Sequence, residues 1–315
     1  MRAARIHKFG NALQIDEIPD PTPDVGEVLV DVMFAGVNPM EIHVTRGSVS
    51  DGHGSQRLPF VPGHEATVSF EDRIYLVEVP TAGRTVDGFY RERAAVPLDA
   101  LIPIPKEADP AQAAALGIAG VTAWRAVNLV AAVQSTDRVL VLGAAGGVGS
   151  LAVQLAKECG AEVWGQTGNL NKVPLIESIG VDRAIVADAT TIAEQIRTFN
   201  PTVVLDGIAG AFVRPVMECA ARGARICIYG SMSGREITLD IRTLYKKNLA
   251  LLGHSGGLHF PAEATRNVLV ELLSDLADGT IRVPIDEILP LEQVAEAHRR
   301  ILDRRVTGKL VLRLR

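Results

Sequence analysis

Three cysteines in 315 residues (Cys159, Cys219 and Cys227) are too few and too badly placed for a disulfide framework. That scarcity points to a reducing compartment, the cytoplasm. An excess of positive charge is also missing. The net charge of −5 gives no electrostatic reason to expect nucleic acid or an acidic membrane as partner. No apolar run reaches the ~18 residues of a membrane helix. The N-terminal MRAARIHKFGNALQ has no apolar core of signal-peptide length. Internal repeats, low-complexity segments and charge runs are absent as well. What remains is the composition of an ordinary soluble protein, 47 % hydrophobic and 22 % charged. The length suffices for two domains of roughly 100–200 residues each.

The chain changes character near residue 120. Before it, short β-type runs are punctuated by Pro and Gly: EVLVDVMFAGVNP, RIYLVEVP, YRERAAVP and ALIPIP. Alternation in VLVDV suits a half-buried strand, and the prolines mark turns or edges. After Asp137 the rhythm becomes strand, helix, strand, helix. Candidate strands are 138–143, 161–166, 183–188, 202–207, 224–230 and 249–254. Between the first two, Val148, Leu151, Ala152, Leu155 and Ala156 make one apolar helix face, and Gly160 suits the stop. TTIAEQIRTF and AFVRPVMECAARG are helical connectors. The pattern predicts an α/β architecture, a doubly wound parallel sheet of six strands behind a β-rich domain. Two further helices and a closing strand, GKLVLRLR, end the chain.

Ala144-x-Gly146-x-x-Gly149 is the dinucleotide fingerprint with its first glycine replaced. Alone it could be a packing device. Between a buried strand and an amphipathic helix it predicts a pyrophosphate held by backbone N–H groups at a helix start. NAD sites carry an Asp or Glu ~20 residues further on, to bond the ribose hydroxyls. Here GQTGNLNK has no acid but has Lys172, with Thr167 and Asn169 beside it. That favours the 2′-phosphate of NADP(H) over the alternative that Lys172 is a solvated residue at a helix start.

These features resemble the medium-chain dehydrogenase/reductase superfamily, in its zinc-independent quinone oxidoreductase and enoyl reductase branch. The resemblance rests on AGVNPMEIHVTRG, LPFVPGHEA, IAGVTAW, GAAGGVGSLAVQLAK, YKKNLALLG and RRVTGKLVL, in that order. It implies a GroES-like domain over 1–118, a Rossmann NADP(H)-binding domain over 119–256, and a return to the first domain over 257–315. The active site would lie in a cleft between the domains. Asn38, His43 and Thr122 become the candidate catalytic residues. Cofactor contacts fall to Ala144, Gly146, Gly147, Val148, Thr167, Gly168, Asn169, Lys172, Tyr229, Gly230, Ser231, Gly253, His254, Ser255 and Lys309, in a loop region reaching Gly256.

Absences again decide the details. Zinc alcohol dehydrogenases of the superfamily carry Cys where this chain has Asn38, and no Cys precedes residue 159. A catalytic zinc needs about three N, S or carboxylate ligands. His64 and Glu65 therefore read as structural polar residues, and no metal is expected. Many enoyl reductases carry a Tyr shortly after the residue matching Gly47; RGSVS has none. After PGHE the chain is roughly a dozen residues short, about one two-stranded hairpin, so the β domain should be trimmed.

The expected function is hydride transfer from NADPH to a quinone or α,β-unsaturated carbonyl, whose own conjugation spreads the incoming charge. Solvent rather than His43 is expected to supply the proton, with His43 as a polar group facing substrate or simply a packed residue. The alternative is an NADPH-binding sensor or structural protein without turnover. A homodimer is expected through the sixth strand, NLALLGH.

Overall fold

Strands fall into three groups along the chain in this computed structural model, which describes residues 1–47, 58–255 and 261–315. The first group is β1 (Arg2–Arg5), β2 (Gln14–Glu17), β3 (Glu27–Val37), β4 (Glu65–Phe70), β5 (Arg73–Glu78), β6 (Arg93–Pro97) and β7 (Leu101–Pro103). The second is β8 (Arg138–Leu142), β9 (Glu162–Thr167), β10 (Arg183–Val186), β11 (Val203–Asp206), β12 (Arg225–Ile228) and β13 (Ala250–Gly253). β14 (Ile285–Pro290) and β15 (Lys309–Arg313) close the chain. Four helices bear on the site: α1 (Pro39–Thr45), α2 (Pro110–Ala114), α3 (Gly117–Arg125) and α4 (Gly147–Glu158). Two units result, Met1–Ile118 with Phe260–Arg315, and Ala119–His259.

In the first unit a seven-stranded sheet runs β14-β15-β3-β4-β5-β7, with β6 also paired to β3. The last strand of the chain thus returns beside β3, with Leu310 opposite Val37 and Leu312 opposite Ala35. Alternate residues Val30, Val32, Val68, Val96, Leu310 and Leu312 fill the core. Each such side chain contributes roughly 1.5–3 kcal/mol on burial. Where the sequence predicts a trimmed domain, β4 and β5 are joined by a two-residue turn. Phe70 pairs with Arg73, and Glu71 and Asp72 both adopt positive φ, 46° and 60°. That geometry matches the right-handed twist of the flanking strands.

The second unit is a six-stranded, wholly parallel sheet in the order β10-β9-β8-β11-β12-β13. All six expected strands are present. The order reverses between β8 and β11, and ligands of such sheets bind outside the carboxyl ends of the strands at that point. α4 crosses from β8 to β9. Its burial exceeds the single predicted face, because Gly149, Ser150, Val153 and Gln154 are buried too. Gly160, at φ 78°, ends it as expected.

β14 was not legible in the sequence. Of IDEILP only Leu289 is fully buried, so no alternation marks the strand. No helix among the described residues is long and apolar enough to cross a membrane.

Candidate active site

Asn38 follows β3 and precedes α1, whose first turn carries Pro39 and Glu41. Glu41 accepts a hydrogen bond from the Asn38 backbone N–H at 2.8 Å, satisfying a donor at the helix start. The Asn38 side chain faces a buried polar cluster. Its Nδ2 donates to Glu65 Oε1 at 2.8 Å, and its Oδ1 accepts from Lys309 Nζ. Lys309 also donates to Glu65 Oε1, at 2.9 Å. Glu65 Oε2 accepts from the Ile118 N–H at 2.6 Å. Two glycines make room for this carboxylate. A Cβ on Gly36 would come within 2.2 Å of Oε1, and one on Gly117 within 2.9 Å of Oε2.

His64 extends the cluster. Its Nδ1 lies 3.0 Å from Glu41 Oε1; a carboxylate only accepts, so that nitrogen carries the proton. Burial pushes the Glu41 carboxyl up, but the His64 ring and the Lys309 ammonium outweigh it and hold Glu41 below its usual range. Asn38, Glu41, His64, Glu65 and Lys309 are all at least 93 % buried. A paired, hydrogen-bonded cluster is the condition on which charges tolerate such burial. His43, on α1, is half-buried.

In the second unit the chain leaves β8 through Gly143, at φ 72°, and enters α4 after Gly146. A Cβ on Gly149 would meet Gly143 O at 2.2 Å, so helix and strand pack at a distance only glycine permits. Ala144 is fully buried, whereas Gly146, Gly147 and Val148 keep partial exposure. The first N–H groups of α4 have no acceptor within the helix, and this end of its dipole is positive. The donors, the dipole and the missing side chains fit a dinucleotide pyrophosphate.

At the end of β9, Thr167 Oγ1 accepts from the Asn169 N–H at 3.2 Å. Asn169 Oδ1 in turn caps the following turn through the Asn171 N–H. Gly168 is exposed, and Lys172 is half-buried at the end of that turn. No carboxylate stands in this segment.

Tyr229 follows β12, packed so closely over Gly207 that a Cβ there would lie 2.7 Å from its ring. Gly230 is equally constrained by Gly207 O, at 2.5 Å, while Ser231 is exposed. At the end of β13, Gly253 and Ser255 are exposed and His254 is buried. His254 Nε2 lies 3.2 Å from the Thr122 carbonyl. A carbonyl only accepts, so Nε2 carries the proton and Nδ1 is an acceptor. Burial, and then the Arg125 guanidinium, lower the pKa of this ring. His254 is accordingly neutral at pH 7.

The Zinc-binding dehydrogenase family model matches residues 147–275. The quinone oxidoreductase of Homo sapiens is 27 % identical over 334 residues, covering 100 % of this chain and 98 % of the relative. A solved NAD-dependent alcohol dehydrogenase has a TM-score of 0.90 at 26 % identity, covering 99 % of both chains. The quinone oxidoreductase from Thermus thermophilus, solved also in its complex with NADPH, has a TM-score of 0.83 at 28 % identity over 100 % of both. The likeness to these solved structures spans both units. The fold is that of the medium-chain dehydrogenase/reductase superfamily, and the sequence is similar to its members along the whole chain.

Zinc is the metal that superfamily implies, and the side chains present do not fit it. Among the described residues no three His, Cys, Asp or Glu groups could hold a metal ion. The Asn38 oxygen is occupied by an ammonium, and that same ammonium neutralises Glu65. Of His64 only Nε2 remains unpartnered among the described residues. A nicotinamide dinucleotide, by contrast, fits the β8–α4 turn.

The structure divides the candidates between the units. Asn38, His43 and Lys309 belong to the first, Thr122 and the other cofactor candidates to the second. Lys309, expected at the cofactor, has its ammonium committed to Asn38 and Glu65. Ser48, Val49 and Ser50, where the sequence lacks the tyrosine, lie outside the described residues, as does Gly256. Sequence reasoning missed Glu41 and Arg125. Only Glu41 left a signal, as the acid three residues after a helix-capping Asn.

Proposed function

We propose that this medium-chain dehydrogenase/reductase reduces a quinone or an α,β-unsaturated carbonyl with NADPH and without a metal. The observation that carries the reading is the cluster around Lys309. Where a Lewis acid would need open N, S or carboxylate ligands, this chain supplies an ammonium already bonded to Asn38 and Glu65. Simple carbonyl reduction then lacks electrophilic assistance. A quinone or enone spreads the developing negative charge itself.

When bound, the cofactor supplies the hydride. The chain supplies position and electrostatics. Backbone N–H groups at Gly147 and Val148 would hold the pyrophosphate, with Gly146, whose own N–H donates to the Gly143 carbonyl at 2.9 Å, allowing close approach and Ala144 packed beneath. Thr167, Gly168, Asn169 and Lys172 would line the adenosine end, where a carboxylate would repel a 2′-phosphate. Tyr229, Gly230, Ser231, Gly253, His254 and Ser255 stand at the carboxyl ends of β12 and β13, on the nicotinamide side, with Thr122 held against His254. Neutral His254, protonated on the nitrogen facing Thr122, is no general acid at pH 7, and the Asn38 amide is committed to Glu65. Proton delivery therefore falls to solvent, with His43 as an assisting polar group.

The exposed position of β13 at the sheet edge, with Ala250, Leu251 and Leu252 half-buried, supports a homodimer paired through that strand. A monomer in light scattering at micromolar concentration would refute the pairing.

Oxidation of NADPH, followed near 340 nm against a panel of quinones, enones and simple aldehydes, tests the activity. Turnover is expected with the first two classes and little with the third. Efficient aldehyde reduction that a chelator abolishes would overturn the metal-free reading. Tight NADPH binding with no acceptor reduced would instead make the protein a sensor.

A further inference from the structure

Gln166 is 99 % buried on β9, one residue before the strand ends. Its amide bonds in two directions at once. Oε1 accepts from the Gly143 N–H at 3.0 Å, and Nε2 donates to the Ala187 carbonyl at 2.6 Å. Its own backbone carbonyl accepts from the Ala144 N–H at 2.9 Å. The two residues that open the cofactor turn are therefore both bonded to this one residue. Ala187, at the other end, directly follows β10, and its N–H donates to the Thr167 carbonyl at 3.0 Å. The side chain thus braces the carboxyl ends of three adjacent strands, β8, β9 and β10.

We propose that Gln166 is a positioning residue for the cofactor, fixing the Gly143–Gly149 turn and coupling it to the adenosine-side segment Thr167–Lys172. The assignment rests on the proposed use of NADP(H). Chemistry dictates the residue type. The site offers one N–H and one C=O, so it requires one acceptor and one donor in the same planar group. A carboxylate would set negative charge against the Ala187 carbonyl, and an apolar side chain would leave both backbone groups without a partner. A carboxylic acid in its protonated form could satisfy both. Gly143, held at φ 72° with no side chain to steady it, depends on such an external bond.

The test compares Gln166→Leu and Gln166→Glu with wild type, reading NADPH Kd by calorimetry alongside KM, kcat and melting temperature. In Gln166→Leu, Kd and KM for NADPH should rise roughly tenfold to a hundredfold, while kcat at saturation changes by less than about threefold. In Gln166→Glu, the affinity relative to wild type should recover as the pH falls from about 8.5 to about 5.5, because a buried carboxyl takes up its proton well above the usual range. If Gln166→Leu does not fold, the pH profile of Gln166→Glu decides alone. A pH-independent deficit in Gln166→Glu, or unchanged NADPH affinity in either variant, overturns the assignment. Wild-type protein that binds neither NADPH nor NADH refutes the cofactor reading itself, an outcome distinguishable because the wild-type titration stands on its own.

Discussion

Acid should destabilise the first unit through His298, in the helix Val294–Leu302. The ring is 92 % buried beside Tyr90, with ring centroids 6.1 Å apart. Its Nε2 has no hydrogen-bond partner among the described residues. Protonating it would bury a charged donor without an acceptor. Burial accordingly lowers its pKa from 6.5 to about 4, against the pull of Glu41. The unfolded chain binds this proton near pH 6.5 and the folded chain only near pH 4, so stability is lost as the pH falls between those values. At 1.36 kcal/mol per unit, the shift corresponds to about 3 kcal/mol in all, and about 2 kcal/mol at pH 5. Glu41, held below its usual range, adds its own loss only at lower pH. Calorimetric unfolding of wild type and His298→Gln from pH 7.5 to pH 4.5 measures the effect. The variant should start less stable and show the flatter pH dependence. Both tryptophans, Trp124 and Trp164, lie in the second unit, so their fluorescence serves as a control that should follow pH alike in the two proteins. Equal pH slopes for the first unit in wild type and variant would refute the argument.

Three further outcomes are expected. Lys309→Met should cost about 3–5 kcal/mol in urea unfolding by stranding the buried Glu65 charge, and adding Glu65→Gln should restore part of the loss. Lys172→Ala should weaken NADPH binding about tenfold to a hundredfold in titration calorimetry and leave NADH nearly unchanged; equal loss for both would remove the 2′-phosphate contact. His43→Ala should slow reduction of a good quinone by less than ~100-fold in steady-state assays. Complete loss of turnover with normal NADPH binding would make His43 the acid.

The second unit was legible in the sequence because its signals are local. Each of its strands is a short apolar run bounded by turn residues, and the turn after β8 needs glycine for reasons of close packing that any neighbouring chain would impose. The helix stop at Gly160 is similarly a property of one backbone position. The closing strand β15 was also visible, from GKLVLRLR alone.

Only the tertiary structure decided where buried polar groups find partners. Lys309 lies 271 residues from Asn38 and 244 from Glu65, and no spacing rule connects them. Sequence reasoning assigns that lysine to the cofactor; folding carries β15 back beside β3 and sets the ammonium against Asn38 and Glu65. Gln166 reads as one residue of a strand, and His298 as one residue of an amphipathic helix. Their chemistry comes from what packs around them: two backbone groups on neighbouring strands for the first, a site without an acceptor for the second. Backbone propensity is set by residues close in sequence, whereas the solvation of a buried charge or amide is set by residues close in space.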